Sequence, residues 1–293
     1  MRSPTPERLI DLLGGFPAAP PLDVRVLDEQ AGEGHTRRLI ECTTYGDTRV
    51  PALLLLPRSV RASVPGVLAI HQDGDRPHRR FGKSEPAGLV GDADQRYGVE
   101  LAQRGFVVLC PDRPGFEDRQ GTPARPGGVR GELFELHRAV DCLIAQREVD
   151  GERIGVIGHS AGGWLASWLM FVDPRVRAGA VSCGALARRW SAIPKEQLPP
   201  GYTIPGAPFP GFLDWGDQDD ILAGIGPRAY FETRPDSLGP TYDEELTRKA
   251  RARYAALGVP ERFVYEATCE LRHAFPDEKR ERAYTWLDRW LHA

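Results

Sequence analysis

A chain of 293 residues, 41% hydrophobic and 27% charged, has enough apolar material for one large α/β domain or two small ones. A formal charge of −3, with only short interrupted basic clusters near 76–80 and 248–253, argues against a nucleic-acid partner held through phosphates. No hydrophobic signal core opens the chain and no apolar run reaches membrane-spanning length, so a cytoplasmic location with no membrane partner is expected. In chain order, a short helix over 6–13 is stopped by Gly14-Gly15 and followed by a proline-rich connector, together an N-terminal extension to about residue 35. Strands over 38–45 and 50–57 flank the turn residues Gly46-Asp47. A strand over 64–71, a helix over 97–104, a strand over 106–110 and a helix over 131–146 come next. A strand over 154–157 runs into a helix after Ser160, and strands over 178–183, 230–232 and 263–268 precede a closing helix over 279–291. Buried strands that alternate with helices predict an α/β fold with a mostly parallel central sheet and helices on both faces. The opening hairpin adds antiparallel strands at one edge.

Residues 188–226 break that rhythm. Six prolines (Pro194, Pro199, Pro200, Pro205, Pro208, Pro210) alternate there with Trp190, Tyr202, Phe209, Phe212 and Trp215. The segment reads as a short irregular cap inserted into a single domain. Trp190, Tyr202, Phe212 and Trp215 suit a small apolar or aromatic substrate, and core packing accounts for them almost as well. Cys42, Cys110, Cys142, Cys183 and Cys269 are widely spaced and form no Cys-x-x-Cys pair. They read as reduced core residues, neither staples nor zinc ligands.

The chemistry concentrates in Gly158-His159-Ser160-Ala161-Gly162, between an apolar run and a helical segment. A serine on a sharp strand-to-helix turn needs nearly side-chain-free neighbours two residues either side, and its hydroxyl then faces the first amides of the helix. Ser160 is therefore the candidate nucleophile. Its base should lie beyond it in the chain, where only His273 and His292 qualify. His292 is penultimate, where fraying spoils positioning, whereas His273 follows the last strand. Asp236, in the turn after the preceding strand, is the first choice for the acid. Glu232, Asp219, Asp220 and Asp173 compete with it. The oxyanion donors should be the backbone N–H groups of Ala161 and of Gln72, on the loop after the 64–71 strand. His71 is expected to brace that loop and is a further candidate substrate contact. His159 reads as a packing residue of the turn. The scattered histidines show no metal-ligand spacing, and neither metal nor organic cofactor is called for.

The stretches 49–57, 65–72, 82–89, 101–112, 149–155 and 226–228, taken with the Gly-x-Ser-x-Gly turn, resemble the α/β-hydrolase superfamily. Within it they are similar to the dienelactone hydrolase and acetyl xylan esterase-like branch. The resemblance implies the α/β-hydrolase fold and the triad Ser160, Asp236 and His273. Dienelactone hydrolases proper carry cysteine at the nucleophile, and Ser160 here favours ordinary ester chemistry. Thr233-Arg234-Pro235 stands where relatives place a glycine-containing turn, and Leu271-Arg272 where glycine is common. Arg272 is then read as facing the pocket or an acidic group of the substrate.

The resulting expectation is a serine hydrolase that cleaves a small-molecule carboxylic ester through an acyl-enzyme. Rival readings are a tailoring enzyme for cyclisation, transacylation or carbon–carbon cleavage, a peptidase or amidase, and a non-catalytic ligand-binding protein. Self-association into a homo-oligomer is left open.

Overall fold

The computed structural model describes residues 4–59, 63–74, 78–192, 196, 204–268, 270 and 272–292. The described strands are β1 (Arg25–Ala31), β2 (His35–Tyr45), β3 (Thr48–Pro57), β4 (Val64–Ile70), β5 (Val107–Pro111), β6 (Val149–His159), β7 (Val176–Ser182), β8 (Ala229–Arg234) and β9 (Phe263–Ala267). They join one sheet in the order β1-β2-β3-β5-β4-β6-β7-β8-β9. The pairs from β1 through β3 to β5 are antiparallel, and every pair from β5 across β4 to β9 is parallel. The helices are α1 (Pro6–Leu12), α2 (Tyr97–Gln103), α3 (Gly128–Ile144), α4 (Ala161–Val172), α5 (Phe212–Trp215), α6 (Gln218–Ile225), α7 (Pro240–Ala256) and α8 (Asp277–Leu291).

Successive side chains of a strand point to opposite faces, so each central strand feeds two cores. Leu68 and Ile70 of β4 and Val107 and Leu109 of β5 join the core under α3, α4, α6 and α7. Val67, Ala69, Val108 and Cys110 join the one under α2 and α8. A strand apolar at every position is thereby explained by burial on both sides.

The strand β1 shows what apolar pattern cannot see. All of its residues are exposed, and its ladder to β2 is what holds it, so it offers no hydrophobic signal. The strand β6 begins five residues before the expected 154–157 run, because the polar segment from Asp150 to Arg153 extends the edge that Val149 and Asp150 pair with Val64 and Pro65. The region expected to be an irregular cap contains α6, whose start is fixed by a capping box between Asp217 and Asp220. Its aromatics face inward. Phe212 is fully buried and stacks on Trp168 of α4 at 5.2 Å, and Trp215 meets Phe171 edge-on at 5.7 Å. Phe212 and Trp215 are therefore core residues and not substrate contacts, while Tyr202 lies outside the described residues.

The chain runs from β4 outward to β5 and then returns to the other side of β4 for β6. The connections leaving β4 and β6 run to opposite sides of the sheet, and at such a switch point open α/β sheets bind ligands outside the carboxyl ends of the strands. Phe212→Ala is expected to lower stability by about 3–5 kcal/mol in urea denaturation, as for other buried aromatics. The KM for a small ester should hold; a raised KM at unchanged stability would return Phe212 to the pocket.

Candidate active site

Ser160 caps α4 with φ 55° and ψ −121°, a conformation that costs a non-glycine residue of order 1–3 kcal/mol. The neighbouring backbone enforces it. The Ser160 N–H donates to the Ser182 carbonyl of β7 at 2.8 Å, and the Trp164 N–H to the Ser160 carbonyl at 2.9 Å. A Cβ on Gly158 would lie 2.5 Å from the Gly162 carbonyl, and one on Gly162 only 2.1 Å from that of Ile70. Neither contact can relax, since both partners are backbone. The carbonyl of the His71–Gln72 peptide also lies against Gly162, 2.7 Å from where its Cβ would be. The end of β4 and the first turn of α4 thus meet at one corner.

His273 comes to that corner from the loop between β9 and α8. Its Nε2 lies 2.7 Å from Ser160 Oγ, and its Nδ1 lies 2.7 Å from Asp236 Oδ2. Asp236 is 1% exposed and follows β8 directly. Its other oxygen accepts from Arg234 Nε at 2.9 Å, and the buried Arg234 also donates to the Ala185 carbonyl. A buried carboxylate needs such a partner to stay charged. The unusual Thr-Arg-Pro-Asp turn thus carries the counter-ion of its own acid.

The competing acids are engaged elsewhere. Glu232 accepts from the Gly184 and Ala185 N–H groups at 3.1 and 2.8 Å and from the Tyr230 hydroxyl at 2.6 Å. Asp219 is gripped by Arg189 through two 2.9 Å bonds, and Asp220 bonds Lys249 at 2.6 Å. Asp173 is buried, which alone would raise its pKa, but Arg175 and His137 hold it well below the usual carboxylate range.

His71 is an internal brace and not a substrate contact. It is fully buried, its Nε2 accepts the Arg113 N–H at 3.0 Å, and its Nδ1 bonds the Gln72 carbonyl at 2.6 Å. The amide can only donate to Nε2, so the proton sits on Nδ1 and the ring is neutral. Burial, reinforced by the Arg113 charge, pushes its pKa down to about 3. His159 is buried too, bonded through Nδ1 to Ser182 Oγ at 3.0 Å, and burial with the neighbouring His273 pushes its pKa down to about 3. Trp190 is half-buried against Tyr242 at 4.9 Å. Arg272 is exposed and faces Asp94 at 3.4 Å.

Sequence reasoning passed over two further residues beside the site. Arg234 carried a signal, an arginine two positions before the candidate acid. Glu85 carried none, because the loops of β4 and of residues 82–91 meet only in three dimensions. Glu85 is buried, accepts from Gln72 Nε2 at 3.2 Å, and burial pushes its pKa up to about 7. The acidic group Asp112, Glu117 and Asp118 has the spacing of an ion site. The Lys83 ammonium lies within 3.0 Å of all three and supplies the cation itself.

A family model described as "Alpha/beta hydrolase family" matches residues 91–291. The chain belongs to the alpha/beta hydrolase family. The Bacillus subtilis protein YtaP is 29% identical over 310 residues, covering 99% of this chain and 100% of that one. Among solved structures, a glucuronoyl esterase from Solibacter usitatus superposes with a TM-score of 0.68 at 17% identity, over 93% of this chain and 87% of that one. An acetyl xylan esterase from Paenibacillus sp. R4 does so with a TM-score of 0.64 at 17% identity, over 98% of this chain and 92% of that one. At those identities the likeness is one of fold, and it is the α/β-hydrolase fold that the motifs imply. Among the described residues, no helix is long and apolar enough to cross a membrane.

The two neutral histidines make stability pH-dependent. Their folded pKa values of about 3 lie below the ordinary 6.5, so between those values the unfolded chain binds more protons. Stability is fully present above about pH 6.5 and falls as the pH drops toward 3. Each histidine should cost on the order of 1–3 kcal/mol by pH 4.5. His71→Gln should flatten this acid slope in denaturation series at pH 7 and 4.5, and an unchanged slope would show that His71 is not its source.

Proposed function

We propose that the protein is a serine esterase that cleaves a small-molecule carboxylic ester through an acyl-enzyme. The observation that carries this reading is the unbroken chain from Ser160 Oγ to His273 to Asp236, both links at 2.7 Å, on a strained turn. Asp236 accepts a hydrogen bond from His273 Nδ1–H, which keeps the proton on Nδ1 and leaves Nε2 as a lone-pair acceptor aimed at the serine hydroxyl. In the first step Nε2 takes the Ser160 proton as Oγ bonds the ester carbonyl carbon. The carbonyl electrons move to an oxyanion facing the Gln72 and Ala161 N–H groups. His273 then gives its proton to the departing alcohol as the carbon–oxygen bond breaks. Water repeats the sequence and frees the acid.

Ester cleavage is favoured over amide cleavage by the likeness of fold to proteins titled acetyl xylan and glucuronoyl esterases. The described cysteines, Cys42, Cys110, Cys142 and Cys183, carry buried free thiols, which suits a cytoplasmic setting.

Fluorophosphonate exposure followed by mass spectrometry should give one adduct, on Ser160, and none in Ser160→Ala. Turnover of 4-nitrophenyl acetate and butyrate should fall about 10⁶-fold in Ser160→Ala and about 10⁴-fold in Asp236→Asn, by analogy with serine proteases. Folded wild type that takes no adduct would sink the mechanism.

A further inference from the structure

Among the buried charges of this chain, Arg188 stands apart. It is the first residue after the β7 crossover segment that lies against the turn: a Cβ on Gly184 would come within 2.4 Å of Gly163 and 2.7 Å of the Trp164 nitrogen. Arg188 is 8% exposed, yet among the described residues its guanidinium donates no hydrogen bond and enters no ion pair, and its Nε is buried without a partner. Its guanidinium carbon lies over the Trp164 ring at 5.3 Å. The Trp164 indole N–H is likewise buried and unpartnered. The nearby carboxylate of Asp217 does not pair with this guanidinium. Its Oδ1 accepts the backbone N–H groups of Arg188 and Gln218 at 2.8 Å each, and its Oδ2 those of Arg189 and its side chain at 3.0 and 3.3 Å.

A buried arginine is ordinarily paired, because an unmet guanidinium loses its hydration and gains nothing back. Burial lowers the Arg188 pKa, with Asp217 opposing, but a guanidinium does not give up its proton in a protein. The indole face attracts the guanidinium, whose terminal N–H groups have no partner among the described residues and are available for a planar anion. Trp164 begins four residues after Ser160, on the same side of the first turn of α4. The ring that Arg188 lies over thus belongs to the residue one helical turn beyond the nucleophile.

We propose that Arg188, set over the Trp164 ring, is an anion subsite that receives the carboxylate of an acidic ester substrate. This rests on the esterase reading and specifies it: the ester carries a second, ionised carboxyl group, held by the arginine fork while the ester carbonyl meets Ser160.

The test compares mono-4-nitrophenyl glutarate with 4-nitrophenyl butyrate, which share a leaving group and differ in the terminal carboxylate. Wild type should favour the glutarate ester in kcat/KM. In Arg188→Met the ratio of the two should fall about 10- to 100-fold, the worth of a charged hydrogen-bonded contact. Arg188→Lys should recover part of it and Trp164→Phe should weaken it, and these also serve if the methionine variant fails to fold. Calorimetric titration with glutarate should show binding to wild type that is lost in Arg188→Met and weakened in Arg188→Lys. A ratio that is the same in wild type and variants, or no glutarate binding to wild type, overturns the subsite. Glutarate binding without turnover of either ester would uphold the subsite while the esterase reading fails.

Discussion

Where β6 turns into α4, backbone has to touch backbone, and much of the molecule is arranged around that contact. Gly162 lies against the carbonyls of Ile70 and His71, Gly158 against Gly162, and Gly184 against Gly163, each closer than any Cβ allows. Three strand ends, those of β4, β6 and β7, are thereby drawn together at the switch point of the sheet. The strained φ of Ser160 follows from this contact, since the Ser182 and Ser160 carbonyls are already engaged by the turn. Strain of this kind persists only where the surroundings over-determine it.

Charge management forms a second layer around the same corner. Asp236 is buried and meets Arg234 on one oxygen and His273 on the other. His71 and His159 sit close by but are held neutral by burial, so they brace backbone and side chains without competing for the proton. Lys83 balances three carboxylates at the base of the 82–91 loop, and Glu85 holds the Gln72 side chain from the same loop. Nearly every buried charge here has a partner within the chain. The Arg188 guanidinium has none among the described residues, and that is the reason for assigning it an outside partner.

The aromatic segment after residue 188 turned out to serve the core more than the crevice. Phe212 and Trp215 fill the space over Trp168 and Phe171, and α6 gives the segment regular structure that its prolines disguise. Aromatic content alone does not distinguish a pocket wall from packing, because the same rings suit both.

What could be read from the chain itself was whatever local pattern records. The parallel strands were legible because burial on two faces leaves an unbroken apolar run, and the Gly158–Gly162 turn because steric exclusion writes glycine into the sequence. Chain order after Ser160 narrowed the base to His273 and His292, and the terminal position of His292 singled out His273. Tertiary structure decided what depends on long-range company. It put β1 in the sheet by its ladder to β2 and the ion pairs Arg25–Glu41 and Arg38–Glu29, with no buried face to announce it. It separated Asp236 from Glu232, since four residues of chain cannot say which carboxylate reaches a histidine and which is spent on the Gly184 and Ala185 amides. It also showed that Arg188 is buried without a counter-ion among the described residues, because pairing is a property of neighbours brought together from distant segments and not of the residue itself.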